Sequence, residues 1–219
     1  MRIDTELVTL RDPGGPPRSE GLHLSSVIRL IAVENGALDR KWVDHTELVD
    51  IATPGWWESL DSDAQVRMAI GMAWEDWYVR TQLPEVTHQP GELFLEGVYM
   101  TPDGESLETI LTHQSEALGL VLHEVKTTSK SLNNFDIWSQ YLWLTQVKSY
   151  CKAMGTLSAV MHVLFLYGDY SRPFSQVCRR YRLTFTQLEL DDNWDVVQSF
   201  IRHKRQQQAE NLMRDTEQA

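Results

Sequence analysis

Two apolar runs divided by a turn constrain this chain more than any other feature of it. The first is Glu92-Leu-Phe-Leu-Glu-Gly-Val-Tyr-Met100 and the second is Gly119-Leu-Val-Leu-His-Glu-Val-Lys126; Thr101-Pro-Asp-Gly104 punctuates the space between. Both runs read as strands. The two-residue side-chain period sets Leu120, Leu122, Glu124 and Lys126 on one face of the second. An apolar strand that ends on a carboxylate beside an ammonium must compensate both charges, because burying either alone costs several kcal/mol. Glu96 falls inside the first run, where strand propensity favours a β-branched residue. A divalent cation held by two carboxylates, with a lysine beside the water it activates, would satisfy all three groups.

Other stretches converge on the same chemistry. A helix is expected from Asp61-Ser-Asp63 to about Arg80, closed before Pro84, with Val66, Ile70, Ala73, Trp74 and Trp77 as its main apolar face. Glu75 belongs to another row, with Met68, Gly71, Met72 and Val79, which is otherwise apolar or small. It reads either as an exposed edge acid or as a carboxylate aimed into a site. A third helix is expected over Asn133 to Gly155, its main body Trp138 to Met154. Within it, Gln146-Val-Lys-Ser-Tyr150 sets Gln146 and Tyr150 on one face, with Lys148 and Lys152 on another.

An acid in one strand, Glu-x-Lys at the end of the next and a following helical Gln-x-x-x-Tyr together resemble the PD-(D/E)XK nuclease superfamily, in its RecB-like and lambda-exonuclease-like branch. Gly71-Met-Ala-Trp-Glu75 is similar to the helix acid of RecB-like members. The resemblance spans about Ser25 to Tyr167. It implies an α/β (α+β) restriction-endonuclease-like core, a central mixed β-sheet flanked by helices. It also implies a metal-dependent nuclease acting on DNA, an exonuclease of recombination, repair or phage DNA metabolism. Glu96 and Glu124, with the carbonyl of Val125, would hold one or two Mg²⁺ or Mn²⁺ ions, and Glu75 would complete the shell directly or through water. Lys126 would orient or deprotonate the attacking water, or stabilise the transition-state charge. Gln146 and Tyr150 would position the helix and the substrate strand.

The family usually carries Asp where Glu96 stands. Asp103 has that residue type, but it lies in Thr-Pro-Asp-Gly, where Asp commonly forms a turn by bonding its own backbone. Glu96 lies within a run and precedes Gly97, the acid–Gly pairing of many lambda-exonuclease-like members, so it is the expected first metal carboxylate. An inactive member of the fold that binds DNA or a protein partner is the alternative reading, and an RNA substrate is a third.

Composition bounds these readings. The 219 residues are 42% hydrophobic, enough for a single domain with a sizeable core. It is expected over 21–219, with an N-terminal arm over 1–20, a core over about 61–190 and a terminal helix over about 192–213. The formal charge is −11, from 20 basic and 31 acidic residues, which argues against indiscriminate coating of nucleic acid. Metal ions and locally clustered bases can still supply positive charge at a site. Two cysteines, Cys151 and Cys178, are too few for the four-cysteine iron–sulfur cluster of some RecB-like nucleases. The absence of an apolar run near the ~20 residues of a membrane span, and of a basic-then-apolar leader, leads us to expect a cytoplasmic protein, or one of the host cytoplasm if viral. A homo-oligomer or a recombination partner protein is compatible with this picture. There is no GxxxxGK[ST] loop for a nucleotide cofactor, no G-x-S-x-G, and no histidine spacing such as HExxH. His123 alternates away from Glu124 and is expected to be structural. Arg179, Arg180 and Arg182, beside a strand expected over Tyr181 to Leu190, are read as a solvated edge rather than a phosphate site.

Overall fold

Helix α1 (Leu24–Glu34) buries Leu24, Val27, Ile28 and Ile31, the residues whose helical spacing announced it. It is followed in the chain by α2 (Ser62–Gln82), β1 (Thr87–His88), β2 (Leu93–Leu95), β3 (Val98–Met100), β4 (Gly104–Leu111) and β5 (Glu116–Thr128). A short 3₁₀ turn at Leu132–Asn134 leads to α3 (Tyr141–Met154), then β6 (Ser158–Phe165), β7 (Cys178–Thr184) and α4 (Gln187–Glu217). This computed structural model describes residues 19–38, 48, 62–111, 116–166 and 178–217. Most of the expected arm over 1–20, Asp61 and Tyr167 lie outside the described residues.

Five strands form a mixed sheet in the order β1-β4-β5-β6-β7. Neighbours β4 and β5 run antiparallel, β5 and β6 parallel, and β6 and β7 antiparallel. The parallel pair requires a crossover, and α3 supplies it. On the front face Leu122, Ala159, Met161, Val163 and Leu183 pack with α1, α3 and α4 in the main core, Trp194 of α4 among them. On the rear face α2 brings Tyr78, Val79 and Leu83 against Val86 and Val125 in a smaller cluster. The expected α/β (α+β) architecture, a mixed sheet flanked by helices, is the one observed.

Several elements depart from the sequence reading. The run Glu92–Met100 is not one strand but a hairpin, β2 against β3, turning at Glu96 and Gly97. Both have positive φ, +47° and +85°, the geometry of a two-residue turn whose twist matches the flanking strands. The expectation placing Glu96 inside a strand is therefore corrected. Strand β4 was read through as part of a connection. Helix α3 begins at Tyr141, later than expected, and ends as expected before Gly155, which takes the left-handed C-cap conformation at φ +70°. The strand expected to reach Leu190 stops at Thr184, because α4 starts earlier. Thr186 and Glu189 form a reciprocal cap there, Glu189 N–H to Thr186 Oγ1 at 3.2 Å and Thr186 N–H to Glu189 Oε2 at 2.8 Å. In α2 the expected apolar face is turned outward: Val66, Ile70 and Trp77 are each more than a third exposed. The row containing Glu75 faces the protein instead.

Candidate active site

A cleft of about 380 Å³ opens between α1, α2, α3 and the head of the sheet. Glu75 on α2, Asp103 before β4, Glu124, Val125 and Lys126 of β5, and Gln146 and Tyr150 of α3 all line it. Helix α1 adds Ser25 and Arg29 to the same wall. Local reasons put each side chain there. Glu124 and Lys126 share the front face of β5 because they are two residues apart. Gln146 and Tyr150 are one helical turn apart, and the Gln146 amide donates to the Tyr150 hydroxyl at 2.8 Å. Asp103 arrives through register. Gly104 pairs with His123, so the residue before Gly104 lies beside the residue after His123. Its Oδ2 accepts the Val125 N–H at 2.7 Å.

Glu96 does not join this group. It sits in the β2–β3 turn, where its Oε2 accepts the indole N–H of Trp194 at 3.0 Å and its carbonyl accepts from Gln198 at 3.3 Å. It fastens the hairpin to α4. The acid that stands with Glu124 and Glu75 is Asp103, so the expectation that Glu96 rather than Asp103 meets Glu124 is corrected by the hairpin turn and by the β4–β5 register.

Three carboxylates and one ammonium leave the site with two uncompensated negative charges if all are ionised, and the electrostatics register it. Glu124 is fully buried, and Lys126 Nζ donates to its Oε1 at 2.5 Å. The other oxygen, Oε2, is buried with no hydrogen-bond partner among the described residues. Burial, reinforced by Asp103 and opposed by Lys126, pushes the Glu124 carboxyl up to about 8. Burial and Asp103 likewise push Glu75 up to about 7. Asp103 is raised by burial, against Lys126 and the Val125 N–H. Burial works against the Lys126 ammonium, but Glu124 and Asp103 outweigh it and hold its pKa above the usual lysine value.

Such a cluster is short of positive charge. Among the described residues no group of three or more His, Cys, Asp or Glu side chains forms a finished metal site. The donor set nevertheless fits a hard divalent cation: all-oxygen ligands, an orphaned buried carboxylate oxygen and excess negative charge. Glu75 has two further neighbours that the sequence did not suggest. His88 Nε2 lies 3.4 Å and Gln89 Nε2 3.5 Å from its Oε1.

Behind β5 lies a second polar group. The Arg180 guanidinium donates to the Tyr78 hydroxyl at 3.2 Å, and Tyr78 meets His162 Nδ1 at 3.2 Å. His162 Nε2 meets His123 Nδ1 at 3.0 Å, His123 Nε2 meets Ser106 Oγ at 2.8 Å, and Ser106 donates to Glu108 at 3.2 Å. With both imidazoles neutral, every donor in this chain finds an acceptor and all bonds run one way. Burial, seconded by His123, pulls His162 down to about 3, and burial lowers His123 as well. His123 points away from the cleft and serves structure, as expected. Arg179, Arg180 and Arg182 are exposed, as expected of a solvated edge; Arg180 and Arg182 also reach the rear network, Arg182 pairing with Glu108 at 2.8 Å.

No protein-family model and no curated protein matches the chain. Solved structures do. An alkaline exonuclease (LHK-Exo) from Laribacter hongkongensis is similar at a TM-score of 0.52 with 12% identity, over 89% of this chain and 93% of that one. LHK-Exo in complex with dAMP is similar at 0.52 with 13% identity, over 91% and 95%. A phage related exonuclease from Haemophilus somnus 129PT gives a TM-score of 0.42 with 11% identity, over 86% and 83%. At these identities the likeness speaks for the fold alone: over 89% of its length this chain is built like the alkaline exonuclease LHK-Exo.

Proposed function

We propose that the chain is a metal-dependent nuclease that hydrolyses phosphodiester bonds in DNA, working as an exonuclease. One observation carries this reading. Asp103, Glu124, Glu75 and Lys126 meet in one cleft, and a buried oxygen of Glu124 has no hydrogen-bond partner among the described residues, on a fold like that of an alkaline exonuclease. Asp103, Glu124 and the Val125 carbonyl would hold Mg²⁺ or Mn²⁺, with Glu75 completing the shell directly or through water. When bound, the ion polarises the scissile phosphate and lowers the pKa of the attacking water.

The chain's own residues do the rest. Lys126 lies against Glu124, positioned to orient the attacking water or to stabilise charge on the phosphate oxygens as it develops. The bond to Glu124 keeps that ammonium in place, and the charges of Glu124 and Asp103 keep it protonated. The Gln146–Tyr150 pair presents an amide and a phenol to the strand lying in the cleft. Arg29 supplies positive charge from α1, which a chain of net charge −11 needs locally to receive a polyanion. End-labelled linear DNA and closed circular DNA, each with Mg²⁺, Mn²⁺ or EDTA, test the reading. Loss of label from linear DNA only with metal is the expected result. Degradation undiminished in EDTA, or none under any condition, overturns it.

A further inference from the structure

Gln89 adopts φ +48° although it carries a Cβ. Side chains other than glycine and asparagine rarely hold this left-handed conformation without something that over-determines it. Two contacts of Gln89 run to the acids of the cleft. Its N–H donates to the Asp103 carbonyl at 3.0 Å, and its side-chain amide approaches Glu75 Oε1 at 3.5 Å. Its neighbour His88 reaches the same Glu75 oxygen at 3.4 Å. The side-chain contacts are at the outer limit of hydrogen bonding, so they orient the carboxylate rather than neutralise it.

The local frame is built for this approach. Strand β1 pairs Thr87 with Glu105 and His88 with Gly104, which delivers Gln89 next to Asp103. A Cβ on Gly104 would stand 2.5 Å from Val86 Cγ1 and 3.3 Å from the Thr87 carbonyl, so glycine is what lets β1 lie this close. Had Gln89 served the turn alone, glycine would have filled it without strain.

We infer that Gln89 is a positioning residue that fixes Glu75 relative to Asp103, through one strained residue that bonds the backbone of one acid and the side chain of the other. Glu75 comes from α2 and Asp103 from the head of β4, and no short chain connection sets their separation. The inference rests on the proposed metal site, since it takes Glu75 and Asp103 as parts of it.

The test compares wild type, Gln89→Ala, Gln89→Gly, Glu75→Gln, the Gln89→Ala/Glu75→Gln double variant and Glu124→Gln. Mn²⁺ affinity is read by calorimetry, the melting temperature in EDTA, and kcat and KM on linear DNA. Both Gln89 variants should bind Mn²⁺ about tenfold more weakly, the scale of losing a group that orients a metal ligand. Gln89→Gly should melt no lower than wild type, because the strain goes with the side chain, and kcat should fall while KM holds. On the Glu75→Gln background, Gln89→Ala should change Mn²⁺ affinity less than about twofold, since coupled residues are not additive. Wild-type Mn²⁺ affinity in Gln89→Ala overturns the inference, as does a full loss on the Glu75→Gln background. If instead Glu124→Gln binds Mn²⁺ like wild type, the metal site itself is refuted and the inference falls with it; loss in Glu124→Gln with none in Gln89→Ala refutes the inference alone.

Discussion

Two buried polar clusters lie back to back on β5, one peptide apart. His123 faces the rear and belongs to a chain running from Arg180 through Tyr78 and His162 to Ser106 and Glu108, in which each donor has an acceptor. Glu124 faces the front and belongs to a cluster of three acids and a lysine, with one buried oxygen left over. Both clusters take polar groups out of water, and both shift pKa values through burial. They differ in whether the protein finishes the job. The rear cluster is complete with neutral imidazoles and needs nothing from solution. The front cluster leaves Glu124 Oε2 without a partner among the described residues, and under the proposed function a cation would complete it. A fully partnered buried network contributes order, whereas an unfinished one marks a place where stability has been given up for binding.

The largest expected difference between the two follows from removing a front charge. Glu124→Gln keeps the volume of the side chain and should lower cleavage at least about 10²-fold, the scale of losing one group that stabilises developing charge. The metal-free fold should not melt earlier, because the variant removes a charge from a crowded, desolvated site. Asp103→Asn should behave alike. Glu96→Gln should keep its cleavage and cost at most about 1 kcal/mol, the worth of its bond to Trp194. Initial rates on end-labelled DNA and urea melts without metal check all three. A Glu96→Gln variant that loses cleavage while Asp103→Asn retains it would mean that the cleft acids do not work together as described.

The parts of this site that could be read from the sequence are those carried by a single element. Glu124 and Lys126 are two apart on one strand, Gln146 and Tyr150 four apart on one helix, and Glu75 lies in an otherwise apolar helical row. Each pattern is local, so periodicity reveals it. Asp103 reaches Glu124 only through the pairing of β4 with β5, and Gly104-Glu-Ser-Leu-Glu-Thr-Ile-Leu111 carries four polar residues beside three apolar ones. Without that strand, Asp103 looked like a turn former, and Glu96 looked like a strand residue because Glu-Gly is not a usual hairpin turn pair. Two signals were available. Asp103 had the residue type that the resemblance prefers for the first acid, and Thr186-Gln-Leu-Glu189 spelled a capping box that would have started α4 early. Gln89 left no signal, since a positive φ at a glutamine follows from its surroundings. The outward face of α2 was missed because Val66, Ile70 and Trp77 are more apolar than the row that faces the cleft.

The rear cluster should respond in the opposite sense. His162→Ala removes the middle of the network, so the Tyr78 hydroxyl keeps only Arg180 and His123 only Ser106, in a place closed to water. The expected cost is about 2–4 kcal/mol of stability, from unsatisfied polar groups and the cavity together. At a temperature where the variant remains folded, its Mn²⁺ affinity should stay within about threefold of wild type, since it touches none of the cleft acids and distant sites are close to additive. Denaturant titration and calorimetry decide this. A variant as stable as wild type would show that the rear chain does not hold the sheet together, and the contrast with the front cluster would lose its meaning.

The smallest expected effect is the pH dependence of the metal-free protein, and the two clusters oppose each other in it. His123 and His162 have folded pKa values below the usual 6.5. Their neutral forms suit the fold, so the stability they provide is present above about pH 6.5 and is lost as pH falls below it. Glu75 and Glu124 have folded values raised from 4.5 to about 7 and about 8. Their contribution is full below about pH 4.5 and is lost as pH rises through those values. Lys126, raised above 10.5, stays charged throughout and adds no slope here. Between pH 4.5 and 6.5 the histidines and the acids pull against each other. From 6.5 to 8 the histidines are neutral in both states, and only the acids act. In EDTA the melting temperature should therefore fall between pH 6.5 and 8, and Glu124→Gln should flatten that fall. Mn²⁺ competes with the same protons, so its affinity should rise over the interval in which the metal-free protein loses stability. A melting temperature that climbs from pH 6.5 to 8 in EDTA would mean the front acids are already ionised and compensated in the empty cleft. An equal fall in Glu124→Gln would move the titrating group away from β5.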